Sequence, residues 1–138
     1  GYFDPIHVGH IEYLEMARKL ADKRGLESAS LWGELIVIVN NDYQCELKKG
    51  KSFMPEEDRL RIVQSLKVVD KAFLSVDKDG RVCESLAIIK PDIFANGGDR
   101  SVGEIPETKV MKKYNIEMVD GLGSKIRSSS DLTGLYAK

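Results

Sequence analysis

Histidine is almost absent from this chain of 138 residues, with His7 and His10 making up the whole supply. That scarcity excludes a zinc centre built from several imidazoles, and the cysteines do not make up the shortfall. Cys45 and Cys83 stand far apart in no C-x-x-C pattern, which reads as two free thiols in a reducing cytoplasm rather than a metal clip or a disulfide framework. Charge of one sign is also lacking. Lys and Arg number 21 against 22 Asp and Glu, which argues against bulk electrostatic attraction to nucleic acid. Long apolar runs are missing too. The most apolar stretch, 35–39, falls far short of the roughly 20 residues that span a bilayer. Repeats, low-complexity tracts and linkers are absent, and a hydrophobic share of 42% with 31% charged residues describes a globular domain.

What is present alternates. Residues 9–22 carry Ile11, Leu14, Ala17 and Ala21 at helical spacing. Residues 24–32 are polar and fit a loop or a helix extension. The run "ELIVIVN", 34–40, is apolar and β-branched without alternation, as in a strand buried on both faces of a parallel sheet. The polar, Lys-rich stretch 41–53, interrupted by Gly50, is expected to be a mobile surface loop. A helix follows, with Pro55 and three acidic residues in its first turn and Leu60, Ile62, Val63 and Leu66 as its apolar stripe. Strands are expected at 72–76, 93–95 and 116–119, and helices at 82–89 and 106–114, with another starting near Ser129. This alternation predicts one α/β domain: a doubly wound, Rossmann-like parallel sheet in three α/β/α layers. Gly1 is expected to follow a first, central strand that lies upstream of this sequence.

Both histidines fall in the opening decapeptide, "GYFDPIHVGH", at the loop expected to lead into the first helix. A metal pair, a phosphate cradle and an incidental turn are the three readings of that placement. In a doubly wound sheet, ligands bind beyond the carboxyl ends of the strands, where this loop would sit. Gly9 lets a ligand approach the helix start, whose exposed N–H groups favour an anion. Imidazoles spaced i and i+3 project the same way and can donate to phosphate oxygens. The cradle fits best, because a metal would require further ligands.

The decapeptide resembles the G-x-F-D-x-x-H-x-G-H signature of the HxGH nucleotidyltransferase superfamily, which includes cytidylyltransferases for glycerol phosphate and choline phosphate. The adenylyltransferases for heptose phosphate and pantetheine phosphate, and archaeal-type FAD synthetase, also belong to it. The likeness continues in order along the chain. The family's serine motif for the terminal phosphates is similar to "KIRSSSDL", where Ser128, Ser129 and Ser130 would offer hydroxyls beside helix N–H groups and Arg127 a positive charge. The stretch "KPDIFANGGDR" is similar to the family's loop at the base and ribose, which implies nucleotide contacts by Gly97, Gly98 and Asp99.

The resemblance implies a Mg²⁺-dependent transferase that moves CMP from CTP, or AMP from ATP, onto a phosphorylated sugar or polyol and releases pyrophosphate. An FAD-synthetase-like adenylyltransferase on a cofactor precursor, or a nucleotide-binding domain without turnover, is the alternative. On this analogy His7 and His10 stabilise the α-phosphate. One lysine among Lys48, Lys49 and Lys51 assists, with Lys49 assigned to catalysis and Lys51 to the acceptor. Phe3, Asp4 and Gly9 would line the nucleotide, while Asp42 and Arg59 would meet the acceptor. No protein-held metal is implied, since Mg²⁺ would enter through the nucleotide phosphates. A homodimer is the assembly expected by analogy. The "GLGSKIRSSS" segment departs from the R-T-x-G-I-S-T-T of glycerol-phosphate enzymes, which leaves the acceptor open.

Overall fold

The structure is a computed structural model that describes residues 1–27, 33–95, 107–119 and 133. Helix α1 spans Val8–Glu27, strand β1 Ile36–Val39, helix α2 Asp42–Lys49, helix α3 Glu56–Gln64 and strand β2 Lys71–Leu74. Helix α4 follows over Cys83–Ile89, strand β3 over Ile93–Ala95, helix α5 over Thr108–Lys113 and strand β4 over Glu117–Val119. The strands expected from apolar, β-branched runs are thus present and the α/β alternation holds. Pairing is parallel throughout the described strands: β1 lies beside β2 with Val39 opposite Leu74, and β3 beside β4 with Ala95 opposite Val119. They form two separate pairs, β1–β2 and β3–β4.

Burial explains why α1 joins both pairs. Leu14, on its inner face, packs with Phe3, Val37, Val39, Val63 and Val69 in the principal core. Met111 and Ile116 form a second cluster with Phe94, Tyr114 and Met118. Between the two, the Tyr13 hydroxyl donates to the Ala95 carbonyl at 2.9 Å. Near the other end of α1, Arg24 grips both carboxylate oxygens of Glu117 at 2.8 and 2.9 Å. An exposed pair of this kind is screened by solvent and adds little to stability.

Two expectations change. The first helix runs on to Glu27, absorbing the start of the stretch left open between loop and helix; 28–32 lie outside the described residues. The Lys-rich 41–53 stretch is not a loop, because α2 occupies most of it. Asn41 and Gln44 form a reciprocal capping box: the Asn41 side chain accepts from the Gln44 amide at 2.9 Å, and the Gln44 side chain accepts from the Asn41 amide at 3.1 Å. Lys48 and Lys49 fall in the last turn, where positive charge complements the helix dipole. Gly50 does not interrupt a loop but closes this helix, with φ 87° and its N–H donating to the Glu46 carbonyl. The helix expected near Ser129 lies outside the described residues.

The same capping residues tie α2 to the β2–α4 loop. Asn41 Nδ2 donates to the Ser75 and Asp77 carbonyls at 2.9 and 2.8 Å, and Gln44 Nε2 donates to those of Asp79 and Arg81 at 2.7 and 2.8 Å. Replacing Asn41 with Ala removes the cap and leaves two carbonyls without this donor. Stability should fall by about 2 kcal/mol, read as a lower midpoint in urea. A shift under about 0.5 kcal/mol would show that the cap does not hold α2.

Candidate active site

The decapeptide folds as expected of a junction into a helix, and its imidazoles organise it. His7 precedes α1, and its carbonyl accepts from the amides of His10 and Ile11 at 3.0 and 3.2 Å. Its ring acts as a helix cap, with Nδ1 accepting from the Gly9 amide at 3.1 Å. The His7 amide in turn donates to Nδ1 of His10 at 3.2 Å. The two rings stack with centroids 3.8 Å apart and planes 22° from parallel. A neutral imidazole that accepts at Nδ1 carries its proton on Nε2. The amides of Gly9 and His7 are bonded to the rings, which they polarise.

His10 is kept neutral. Burial, then the neighbouring His7 ring, the Gly1 amino group and Lys48, push its pKa down from 6.5 to about 3. Its proton-donating nitrogen is thus available at neutral pH with no net charge on the ring.

Beneath the junction lies a buried cluster of charges. Phe3 is buried in the core and held at φ 52°, a left-handed angle costly for an aromatic residue. Its neighbour Asp4 is fully buried, and its carboxylate accepts from the Phe53 and Met54 amides at 2.7 and 2.6 Å. The Lys49 ammonium lies 2.9 Å from that carboxylate and donates to the Asp4 carbonyl at 2.8 Å. Arg59 is fully buried as well. It donates to the carbonyls of Tyr2, Asn40 and Met54 at 2.9, 2.5 and 3.0 Å, and to the Asp42 carboxylate at 2.7 Å. Burial alone would raise the Asp42 carboxyl, but hydrogen bonds from Arg59 and Ser52 hold it below the usual range.

Of the residues singled out in the sequence, His7, His10 and Gly9 come together at the helix start. Asp42 is bonded to Arg59 and Ser52, with no contact to the histidines among those the structure gives. Phe3, Asp4, Lys49 and Arg59 point into the protein, with their polar groups bonded to the chain itself. Lys51 is exposed. Lys48 is exposed too and lies over the Tyr2 ring, 4.2 Å from its centroid. Its charge is among those acting on His10. Helical register was the missing signal: Cys45 and Lys49 share one buried face of α2, and Lys48 lies off it. Gly97, Gly98, Asp99, Arg127, Ser128, Ser129 and Ser130 lie outside the described residues. Among the described residues, no group of three or more His, Cys, Asp or Glu is placed to hold a metal ion. No helix among them is long and apolar enough to cross a membrane.

Comparison with known proteins accords with this arrangement. A family model described as cytidylyltransferase-like matches residues 1–130. The FAD synthase of Methanopyrus kandleri is 38% identical over 104 residues, covering 75% of this chain and 63% of that protein. The chain thus spans less than two thirds of that relative's length. The bifunctional protein HldE of Hahella chejuensis is 32% identical over 130 residues, 93% of this chain and 23% of the relative. A lipopolysaccharide core biosynthesis protein from Thermoplasma volcanium has a crystal structure that superposes with a TM-score of 0.65 at 30% identity, covering 90% of this chain and 93% of its own.

The depressed His10 pKa makes stability depend on pH. Between 6.5 and about 3 the unfolded chain binds a proton at His10 and the folded chain does not. This contribution is complete above 6.5 and is lost progressively as pH falls through that window. Urea midpoints measured from pH 7 to pH 4 should decline, and His10→Gln should flatten the decline. Equal slopes for both proteins would place the proton on His10 in the folded state.

Proposed function

The chain belongs to the cytidylyltransferase-like family of nucleotidyltransferases, and on that premise we propose that it transfers AMP from ATP to a phosphorylated cofactor precursor, with FMN as the acceptor and FAD as the product. The pairing with FAD synthases supports this acceptor over the sugar or polyol phosphate considered first. One observation carries the chemistry: two stacked imidazoles at the helix start whose Nδ1 atoms both accept from the backbone, with His10 held neutral by burial.

In the reaction, a phosphate oxygen of the acceptor attacks the α-phosphorus of the triphosphate in line. The new P–O bond forms as the bond from the α-phosphorus to the α,β-bridging oxygen breaks, and pyrophosphate leaves with that electron pair. The attacking phosphate is already ionised at neutral pH, so no general base is required. Donors placed where charge grows on the α-phosphate oxygens contribute on the order of 3 kcal/mol each, and His7 and His10 fill that role. Positioning and charge neutralisation supply the rest of such a transfer. Arg127 and Ser128 to Ser130 remain the proposed holders of the β- and γ-phosphates, and Gly97, Gly98 and Asp99 of the nucleoside.

A Mg²⁺ ion is proposed to arrive with the triphosphate, held through the nucleotide's phosphate oxygens. Bound there, the ion would neutralise phosphate charge.

We assign the assisting lysine to Lys48 instead of Lys49. Lys48 stands on the solvent side of α2 with its charge acting on His10, whereas Lys49 is committed to Asp4. Lys49 and Arg59 become positioning residues for the loop and for Asp42.

A pyrophosphate-release screen crossing ATP and CTP with FMN, sugar phosphates, polyol phosphates and choline phosphate tests the assignment. ATP with FMN should give pyrophosphate and FAD in equal amounts, and His10→Ala should cut turnover at least about a hundredfold while remaining folded. Near-normal turnover by folded His10→Ala would sink the mechanism. Preference for a sugar phosphate would return the acceptor to the sugar or polyol phosphate of the first expectation.

Substitutions at the two lysines should separate their roles. Lys48→Ala should lower kcat with little change in the unfolding midpoint. Lys49→Met should cost about 3–5 kcal/mol of stability, as expected when one partner of a buried ion pair is removed. The reverse pattern would restore Lys49 as the reacting cation.

A further inference from the structure

Tyr2 fills the variable place in the G-x-F-D opening of the decapeptide, and neither the helix junction nor the buried cluster of charges accounts for its ring. Its backbone is held firmly. The Asn40 amide donates to the Gly1 carbonyl at 2.8 Å, the buried Arg59 guanidinium donates to the Tyr2 carbonyl at 2.9 Å, and Phe3 is fixed in the core. A side chain on a backbone so held has few directions open to it. The two neighbouring rings diverge in task. Phe3 lies inside with its centroid 4.9 Å from that of His10, whereas Tyr2 is half-buried and has the Lys48 ammonium 4.2 Å from its centroid.

That contact is close. A cation is attracted to a ring face within about 6 Å of its centroid. The other two such contacts among the described residues, Lys90 and Lys113 over Tyr114, stand at 5.2 and 5.4 Å. The helix that carries Lys48 is anchored as firmly as the ring. Asn41 and Gln44 close its start, Gly50 closes its end, and the adjacent Lys49 is tied to Asp4. The four-carbon stem of Lys48 is left to adjust, and such a stem spreads over many rotamers in water.

How a lysine is held decides what it can still do. The Asp4 carboxylate holds Lys49 by offsetting its charge. A ring face attracts an ammonium through its quadrupole, brings no net charge, and leaves the N–H groups turned away from it able to donate. The charge of Lys48 is accordingly felt at His10. The attraction is also weak, worth about two- to fivefold in population at an exposed site. A phosphate offers more, through charge-assisted hydrogen bonds. A ring can thus narrow where an ammonium stands and still give it up.

We propose that Tyr2 is a positioning residue for the transfer: its ring seats the Lys48 ammonium on the His10 side of the loop, and the incoming phosphate draws the ammonium off that seat. The inference rests on Lys48 as the assisting lysine, and it adds that the seat sets how often this cation stands ready. Adjacent lysines of one helix are then held for opposite ends, Lys49 by a carboxylate that spends its charge on the fold and Lys48 by a ring that spares it.

Two readouts in the full chain keep the seat apart from the role of the lysine. By NMR, the ε-methylene protons of Lys48 should resonate upfield of a solvated lysine's, since they lie over a ring face, both in the wild type and in Tyr2→Phe. The shift should vanish in Tyr2→Leu. The second readout is turnover with ATP and FMN, or with the pair that the acceptor screen selects instead. Tyr2→Leu should lower kcat about three- to tenfold, and Tyr2→Phe, which keeps the face, should stay within about twofold. In a Lys48→Ala background, Tyr2→Leu should change kcat by less than about twofold. An unshifted Lys48 signal in the wild type would overturn the seat without use of any substrate. Equal losses on Tyr2→Leu with and without Lys48 would overturn it as well, leaving the ring a purely structural part. If Lys48→Ala is impaired while Tyr2→Leu turns over normally, the positioning role falls and the assignment of Lys48 stands. If Lys48→Ala itself turns over normally, both fall.

Discussion

Everything at the site hangs from the buried carboxylate of Asp4. Two consecutive amides, Phe53 and Met54, fix its oxygens, and Lys49 neutralises it from below. Arg59 then binds what Asp4 gathers, reaching the Tyr2 carbonyl on one side and that of Asn40 on the other. A charged group taken out of water costs several kcal/mol unless it is paired and fully hydrogen-bonded, so this arrangement tolerates few alternatives. The N-terminal loop, the end of β1, the end of α2 and the start of α3 must all be in place for the cluster to be satisfied. A loop that would otherwise be among the most variable parts of the molecule is thereby made rigid.

The consequence for catalysis runs through the same contacts. Holding Asp4 holds Phe3 at its left-handed angle, and the chain then enters α1 with His7 at the cap position. Asp42 is drawn in by the guanidinium that also secures the loop. The groups proposed to act on phosphate thus follow within a few residues of a structural core of charge, the kind of support that positioning catalysis requires.

Much of this was legible in the residues. The apolar runs at 34–40 and 93–95 named their strands, because a buried parallel strand has no polar face to disguise it. The opening decapeptide named its place in the fold, since His7 and Gly9 stand at the helix start that its glycine and imidazoles suggest. The 41–53 stretch misled: its polar composition suggested a loop, and the Asn41–Gln44 capping box that makes it a helix was there to be read. The inward turn of Lys49 and Arg59 was hidden for a different reason. A cation is normally solvated, and its burial depends on carbonyls from Tyr2, Asn40 and Met54 that only the fold assembles. Sequence pattern encodes which face of an element is apolar, but not which charges find partners enough to leave water.

The capping role of His7 and the amide that points at His10 also bear on how tightly the site holds what it makes. The His10 ring relays the partial charge of the His7 amide outward without carrying a full one. A fixed cation would grip reactant and product phosphates alike, and its attraction would be felt at every stage. Polarised but uncharged donors respond most to the extra charge that exists only while the phosphorus is five-coordinate. On the proposed reaction, such a site would relax its hold once pyrophosphate had formed.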